Sequence, residues 1–430
     1  MQNTSKTTIS ISSLPSEIHD HIIDFVAVQK VKKVRGNLAA CSLVCRAWTP
    51  RSRSHFFKDL RLLINYDNVD AFGELLRSPC CTILSHVRYL TMLSDDYGSR
   101  RYDELKEPLA LLTGLESLRL IGRSWEVHGA APSRGFMSSL AGVVDLEIDC
   151  RNMGEFDHAL LIICAFPALR RLSIRQFAID SPFEQRRHYS LFPPYTPYAP
   201  PAWVKPGSLL HPPHLSSLSI DAPALVPILH WLNWTGTCRV SYLELVLPSR
   251  FRSENIGPLV EYMQSLRNSL EHLKLGSSTQ SLDSDGSEKV FNLNNFQNLR
   301  NVYFTNVLPK HRLGSLERSL TFAVRSICSR SLESVTFDID RRGFPHNFKL
   351  VDWTGLDNFF SESDFPNLRH IRCTCASAVS DPKLYKDMRL ATPDAYEDFV
   401  NAMRDAFPGA YSRGLLDIPL ATLKSLCDQQ

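Results

Sequence analysis

Apolar residues recur along most of the chain in one hexapeptide, apolar-x-x-apolar-x-apolar. The copies begin with Val87-Leu90-Met92, Leu115-Leu118-Leu120, Val143-Leu146-Ile148, Leu169-Leu172-Ile174 and Leu215-Leu218-Ile220. They continue with Val240-Leu243-Leu245, Leu270-Leu273-Leu275, Leu299-Val302-Phe304, Leu332-Val335-Phe337 and Leu368-Ile371-Cys373. Between middle residues the steps are 28, 28, 26, 46, 25, 30, 29, 33 and 36. The last two apolar residues of each copy stand two apart, so both face one side of a short strand. Stretches between copies have helical spacing, as in 157–166, 257–266 and 316–328, where Leu316, Leu320, Ala323, Val324 and Ile327 share a face. Three strands are entered by a similar phrase: Phe166-Pro-Ala-Leu169, Phe296-Gln-Asn-Leu299 and Phe365-Pro-Asn-Leu368. One strand and one helix cannot bury their apolar faces alone, so neighbouring repeats must stack. The pattern predicts a curved α/β solenoid over residues 61–393, with the strands on its concave side.

Over about residues 85–375 this pattern resembles the leucine-rich-repeat family. The Asn or Cys expected three residues after the last strand Leu is mostly replaced, with Arg123, Arg151 and Phe177 standing there. An irregular, long-repeat variant is expected. Two insertions interrupt it. Residues 182–213 hold nine prolines in 32 residues, with Phe183, Tyr189, Phe192, Tyr195, Tyr198 and Trp203 among them. Such a segment favours polyproline II and cannot form a repeat helix. It is either a surface loop or a partner contact made through its aromatics. Residues 276–289 are Ser-rich and acidic without calcium-loop spacing, and read as a flexible loop.

Residues 1–12 read as a disordered tail and residues 13–60 as a separate three-helix unit. Ser13 is placed to cap a helix opening Leu14-Pro15, with Glu17 in its first turn. Ile18, Ile22 and Phe25 follow at i, i+4, i+7. A second helix over Leu38 to Arg46 places Leu38, Cys41, Val44 and Cys45 at helical spacing, and Pro50 marks the turn into a third helical piece ending near Phe57. About 45 residues make only a small core, which leaves apolar surface, including Leu14, Leu43 and Trp48, in want of a partner.

Leu14-Pro15-x-Glu17-Ile18, then Ile22-Ile23-x-Phe25, then Cys41-Ser42-Leu43-Val44-Cys45-Arg46-x-Trp48 resembles an F-box. The likeness is to fungal F-box proteins in which this motif precedes irregular leucine-rich repeats. The segment from Val26 to Asn37 is longer and more basic than the usual turn and lacks a Pro-x-Asp step. The resemblance implies that the helices dock a Skp-type adaptor and, through it, cullin and RING subunits. Carried onto this sequence, the adaptor contacts are Leu14, Pro15, Glu17, Ile18, Ile22, Phe25, Leu43, Val44 and Trp48. The repeats would present a protein substrate for ubiquitin transfer. The rival readings are a repeat scaffold acting without any ligase, and an N-terminal subdomain that merely caps the solenoid.

Composition narrows the setting. Hydrophobic residues are 43% and charged residues 22% of the 430, as in a globular chain. The net charge is +3. Residues 1–60 carry nine Lys/Arg against four acids, so the two parts differ in electrostatic character. This balance gives no reason to expect nucleic acid. The 11 cysteines, many inside apolar runs, suit a reducing compartment, cytoplasmic and/or nuclear. The start has no apolar h-region, and no segment reaches membrane-spanning length.

No phosphate loop, His-Glu-x-x-His or Gly-x-Ser-x-Gly element occurs, so the chain is expected to be no enzyme and to need no cofactor. Cys80-Cys81, Cys41/Cys45 and Cys373/Cys375 lack the matched second half of a zinc site. The basic run Lys30, Lys32, Lys33 and Arg35 reads as a solvated loop. Residues 394–430, with Tyr396, Phe399, Val400, Met403 and Phe407 on one helix face, read as a cap on the last repeat. Substrate contacts are expected on outward strand positions: Arg119, Glu147, Arg171, Arg175, Tyr242, Glu244, His272, Lys274, Tyr303 and Arg372.

Overall fold

The computed structural model describes residues 15–28, 34–58, 61–65, 67–79, 81, 83–94, 103–124, 137, 139–152, 156–175, 213–221, 225–236, 239–247, 256–277, 292–307, 316–339, 344, 348–362, 365–374 and 393–419. The tail 1–12, Ser13, Leu14, Lys30, Lys32, Lys33, residues 182–212 of the Pro-rich insertion and 278–289 of the acidic loop lie outside them. The chain divides into two compact units, Met1–Glu147 with Ala165–Ala168, and Ile148–Cys164 with Leu169–Gln430.

The first unit opens with α1 (Ser16–Val28), α2 (Val34–Val44) and α3 (Thr49–Lys58). Along α1 the residues His19, Ile23, Val26 and Ala27 form an inner stripe at i, i+4, i+7 and i+8. Ile23 and Val26–Ala27 pack with Leu38 and Trp48 and with the half-buried Val34, Cys41, Cys45 and Phe56. Thr49 Oγ1 donates to the carbonyls of Ser42 and Cys45 at 2.9 and 3.2 Å, and so holds the α2–α3 corner. Pro50 sits in the first turn of α3, where its missing N–H costs nothing. Two expectations are corrected here. The second helix starts at Val34 rather than Leu38, and α1 runs on to Val28, so helix takes up much of the long basic turn.

The same unit continues with β1 (Arg61–Ile64), α4 (Val69–Arg77), β2 (Tyr89–Ser94), the short α5 (Lys106–Ala110) and β3 (Ser117–Ser124). β1, β2 and β3 pair in parallel, with Leu62↔Leu90↔Leu118 and Ile64↔Met92↔Leu120 in register. These rows are the inward ones. β4 (Asp145–Asn152) begins in this unit.

The second unit repeats the arrangement. Its elements are α6 (Phe156–Cys164), β5 (Arg171–Arg175), β6 (Ser217–Asp221), α7 (Leu225–Thr235), β7 (Tyr242–Leu247), α8 (Ile256–Ser265), β8 (His272–Ser277) and β9 (Asn301–Val307). Then come α9 (Leu316–Arg325), β10 (Ser334–Ile339), α10 (Trp353–Glu362) and β11 (His370–Thr374). From β5 to β11 every strand pairs in parallel with the next in sequence. Leu172, Leu218, Leu243, Leu273, Val302, Val335 and Ile371 form one unbroken buried row.

Register is set at the entry to each strand. One carbonyl of the preceding repeat accepts two successive N–H groups: Arg88 O from Glu116 and Ser117, Arg170 O from Ser216 and Ser217, Ser241 O from Glu271 and His272. Glu271 O, Arg300 O and Glu333 O do the same for the strands that follow. The entry phrase explains itself in the same place. Phe296 and Leu299 are buried, and Asn298 Nδ2 donates to Asn268 O at 2.8 Å in the repeat before. Asn367 Nδ2 donates likewise to Arg330 O at 3.0 Å, and Ser269 and Ser329 hydroxyls reach Val240 O and Gln297 O. Here Asn and Ser side chains tie repeat to repeat before the strand, on the other side from the position where the repeat family keeps its Asn.

The C-terminal residues form α11 (Pro393–Ala406), α12 (Pro408–Ser412) and a two-residue strand β12 (Leu416–Asp417). Phe399, Met403 and Phe407 are buried, as a cap on an apolar last repeat requires. The buried Asp357 carboxylate accepts from Gly409 N at 2.7 Å and Ala410 N at 2.9 Å, at the start of α12. Gly414, at φ +68°, turns the chain into β12, which pairs with β11.

Leu273→Ala or Leu146→Ala empties an inward position and is expected to cost about 2–5 kcal/mol, whereas Ser173→Ala, outward, changes stability by less than about 0.5 kcal/mol. Denaturant titration checks this, and equal effects would contradict the register. Asp357→Ala strands two N–H groups and is expected to cost about 2–3 kcal/mol. Amides of 408–417 should then exchange before those of the strands.

Candidate functional site

Two surfaces present themselves, one on the N-terminal helices and one on the strands. On α1 a second stripe, offset by one residue from the inner one, faces water. Ile18 and Ile22 are exposed, and Phe25 is 68% exposed. Pro15 and Glu17 are exposed as well. From α2, Leu43 is 86% exposed and Val44 is exposed. This is a large apolar area for helices whose own core, among the described residues, rests on the buried Ile23, Leu38 and Trp48. Trp48 is the exception and a correction. It is 8% exposed, packed with Ile23 and Leu38, with its ring 5.7 Å from that of His19. A bulky ring at the α2–α3 corner supplies the core that a unit this small otherwise lacks.

A polar clamp holds α1 against α3. Arg51 Nε and Nη2 each donate to an Asp24 oxygen at 2.8 Å, and His55 Nε2 lies 2.6 Å from Asp24 Oδ1. The Arg51 hydrogen bonds, and then the His55 one, hold the Asp24 carboxyl well below its ordinary value of 3.8.

On the strands, outward side chains alternate with the inward rows. In the second unit one outward row reads Arg171, Ser217, Tyr242, His272, Asn301, Ser334 and His370. The next reads Ser173, Ser219, Glu244, Lys274, Tyr303, Thr336, Arg372 and Asp417, and Arg175 and Asp221 stand one position further on. The predicted contact residues are therefore neighbours, and they engage one another. Glu244 takes Lys274 Nζ at 2.6 Å and the Ser219 hydroxyl at 3.0 Å. Lys274 Nζ also lies 5.5 Å from the Tyr303 ring centroid. Asn301 Nδ2 meets His272 Nδ1 at 2.9 Å. Burial, and next the Glu244 charge, push the Tyr242 hydroxyl up. Burial works against the Lys274 charge, yet the bond to Glu244 together with the charges of Glu244, Tyr242 and Tyr303 more than offsets it. Asp221 is raised by burial, against the pull of Arg175.

Three predicted contacts, Arg119, Glu147 and Arg372, are engaged in other pairs. Arg119, in the first unit, pairs with Glu147 at 3.2 Å. Arg372 is engaged by Asp417 of β12 at 2.7 Å, so the cap rather than an open surface takes its charge. Sequence reading missed β1, although Leu62 and Ile64 stand one 28-residue step before Leu90 and Met92. Asp59 fills the first apolar position of the hexapeptide and hides that copy. Among the described residues no group of His, Cys, Asp and Glu could hold a metal ion, and no helix is long and apolar enough to cross a membrane.

Parallel strands in sequence order, apolar hexapeptides on β2 to β11 and helices between many of them define an α/β repeat fold. Similar solved structures include a TLR13–ssRNA13 complex, at 13% identity over 77% of this chain and 38% of that one, with a TM-score of 0.30. A leucine-rich-repeat protein of Leptospira interrogans is similar at 11% identity over 86% of this chain and 92% of that one, with a TM-score of 0.20. The chain thus spans well under half the length of the first of these. No family model and no curated protein matches the chain.

Asp24 supplies a pH test. Because its folded value is depressed, its contribution is fully present above the ordinary carboxylate range and is lost as pH falls below about 4. Asp24→Asn is expected to lower amide protection in α1 at neutral pH. The gap between variant and wild type should stay constant down to about pH 5 and shrink below about 4. A gap that does not change with pH would contradict the clamp.

Proposed function

We propose that the chain is a non-enzymatic substrate-recognition adaptor of an SCF-type ubiquitin ligase. The N-terminal helices dock a Skp-type adaptor, which joins cullin and RING subunits, and the strand face of the repeats holds a protein substrate. The observation that carries this reading is the solvent-facing stripe Ile18, Ile22 and Phe25 with Leu43 and Val44, on helices that already have a core of their own. An apolar face of that kind on a small helical unit is a docking surface. These are also positions of the F-box-like motif. Leu14, another apolar motif position, lies outside the described residues. The second reading is a repeat scaffold that binds partners without a ligase. It draws on the burial of Trp48, which removes one large aromatic from the docking face.

Co-purification with a Skp-type adaptor separates the two. Ile22→Asp with Phe25→Asp, both at exposed positions, should abolish adaptor capture and leave the thermal transition in place. A chain beginning at Arg61 keeps β1 as its first strand and should stay folded and adaptor-blind. A full-length chain that never captures the adaptor, or a truncated one that aggregates, contradicts the reading.

A further inference from the structure

The outward face of β1–β3 differs from the polar network on β7–β9. Arg61, Tyr89 and Ser117 form its first row, and Leu63, Thr91 and Arg119 its second. Leu93 and Ile121 form a third. Leu63 is 51% exposed and Tyr89 37%, while Leu93 and Ile121 are half-buried. In β1–β3 the outward positions therefore carry apolar side chains where the inward ones already make the core. No carboxylate stands among the described outward side chains of these three strands. Arg61 is exposed and lies over Tyr89, with its guanidinium carbon 5.8 Å from the ring centroid. Arg119 is already paired with Glu147, so the cation at the open rim is Arg61.

We propose that this face binds an apolar segment of the protein substrate that carries an acidic residue at its Arg61 end. The proposal rests on reading the repeats as the substrate-binding part. Two observations fix the occupant's chemistry. The exposed Leu63 and Tyr89 are an apolar surface of the kind that marks an interaction site. Arg61 is the charge at the β1 rim, so a carboxylate is attracted there and a lysine repelled.

The probe is a fluorescein-labelled peptide, Glu-Glu-Leu-Ser-Ser-Phe-Ser-Ser, with a Lys-Lys counterpart and a control in which Leu and Phe are Ser. Anisotropy titration of the full chain is expected to favour the Glu-Glu peptide over both by at least about tenfold. Arg61→Glu should reverse the charge preference, and L63D with I121D should remove binding while the thermal transition is kept. If L63D with I121D melts early, Leu63→Ser with Ile121→Ser takes its place, read in the same way. Equal affinity for the Glu-Glu and Lys-Lys peptides, or undiminished binding by a folded patch variant, overturns the proposal. Adaptor capture is read on the same samples. Peptide selection without adaptor capture sinks the ligase reading alone, and adaptor capture without peptide selection sinks this one alone.

Discussion

Everything outward on these strands depends on a hydrogen-bond rung that is the same from repeat to repeat. A single entry carbonyl, such as Glu271 O or Arg300 O, accepts two consecutive N–H groups from the next strand. That doubly used acceptor leaves the following strand one register in which its backbone groups are satisfied. A slip of one residue would turn Leu273 and Leu275 outward and bring Lys274 into the core. The rung therefore selects which side chains meet the solvent, and the chemistry of the face follows from backbone geometry fixed beneath it.

The second constraint is the ends of the array. Parallel strands leave backbone edges that attract foreign strands. In the first unit the edge strand β1 is only four residues long and carries Arg61. In the second, β12 covers β11 with two residues, held by Arg372–Asp417 and by the Asp357 carboxylate at the start of α12. Arg372 shows the consequence: a residue at an outward position becomes part of the closure because an acid arrives from the cap.

Much of the fold was legible because its signal is a repeated one. Every hexapeptide copy whose middle residue is Leu90 through Ile371 falls on a strand, since alternating burial on a short strand leaves a two-residue mark in the sequence. What stayed hidden lacked either the repeat or a local cue. β1 has Asp59 in place of its first apolar residue, and β12 is two residues long. Trp48 reads as surface in the sequence because helical spacing alone does not say which of two apolar stripes is inner. On α1, His19–Ile23–Val26 and Ile18–Ile22–Phe25 differ by one residue, and only packing against Leu38 and Trp48 separates them. The pairing of Glu244 with Lys274 was likewise invisible, because it joins residues 30 apart through register rather than sequence. The apolar outward positions of β1–β3 went unnoticed for a related reason. In a leucine-rich chain Leu63 and Ile121 look like any other core residue until their rows are aligned.

In the proposed function the N-terminal helices are a docking module whose exposed stripe, and not the strand face, meets the ligase. Hydrogen exchange of the full chain with and without a Skp-type adaptor tests this most directly. The account predicts new protection confined to peptides covering 15–28 and 34–48, with the strands from Arg61 onward unchanged. Protection spread over the strand peptides, or none in α1, would contradict it.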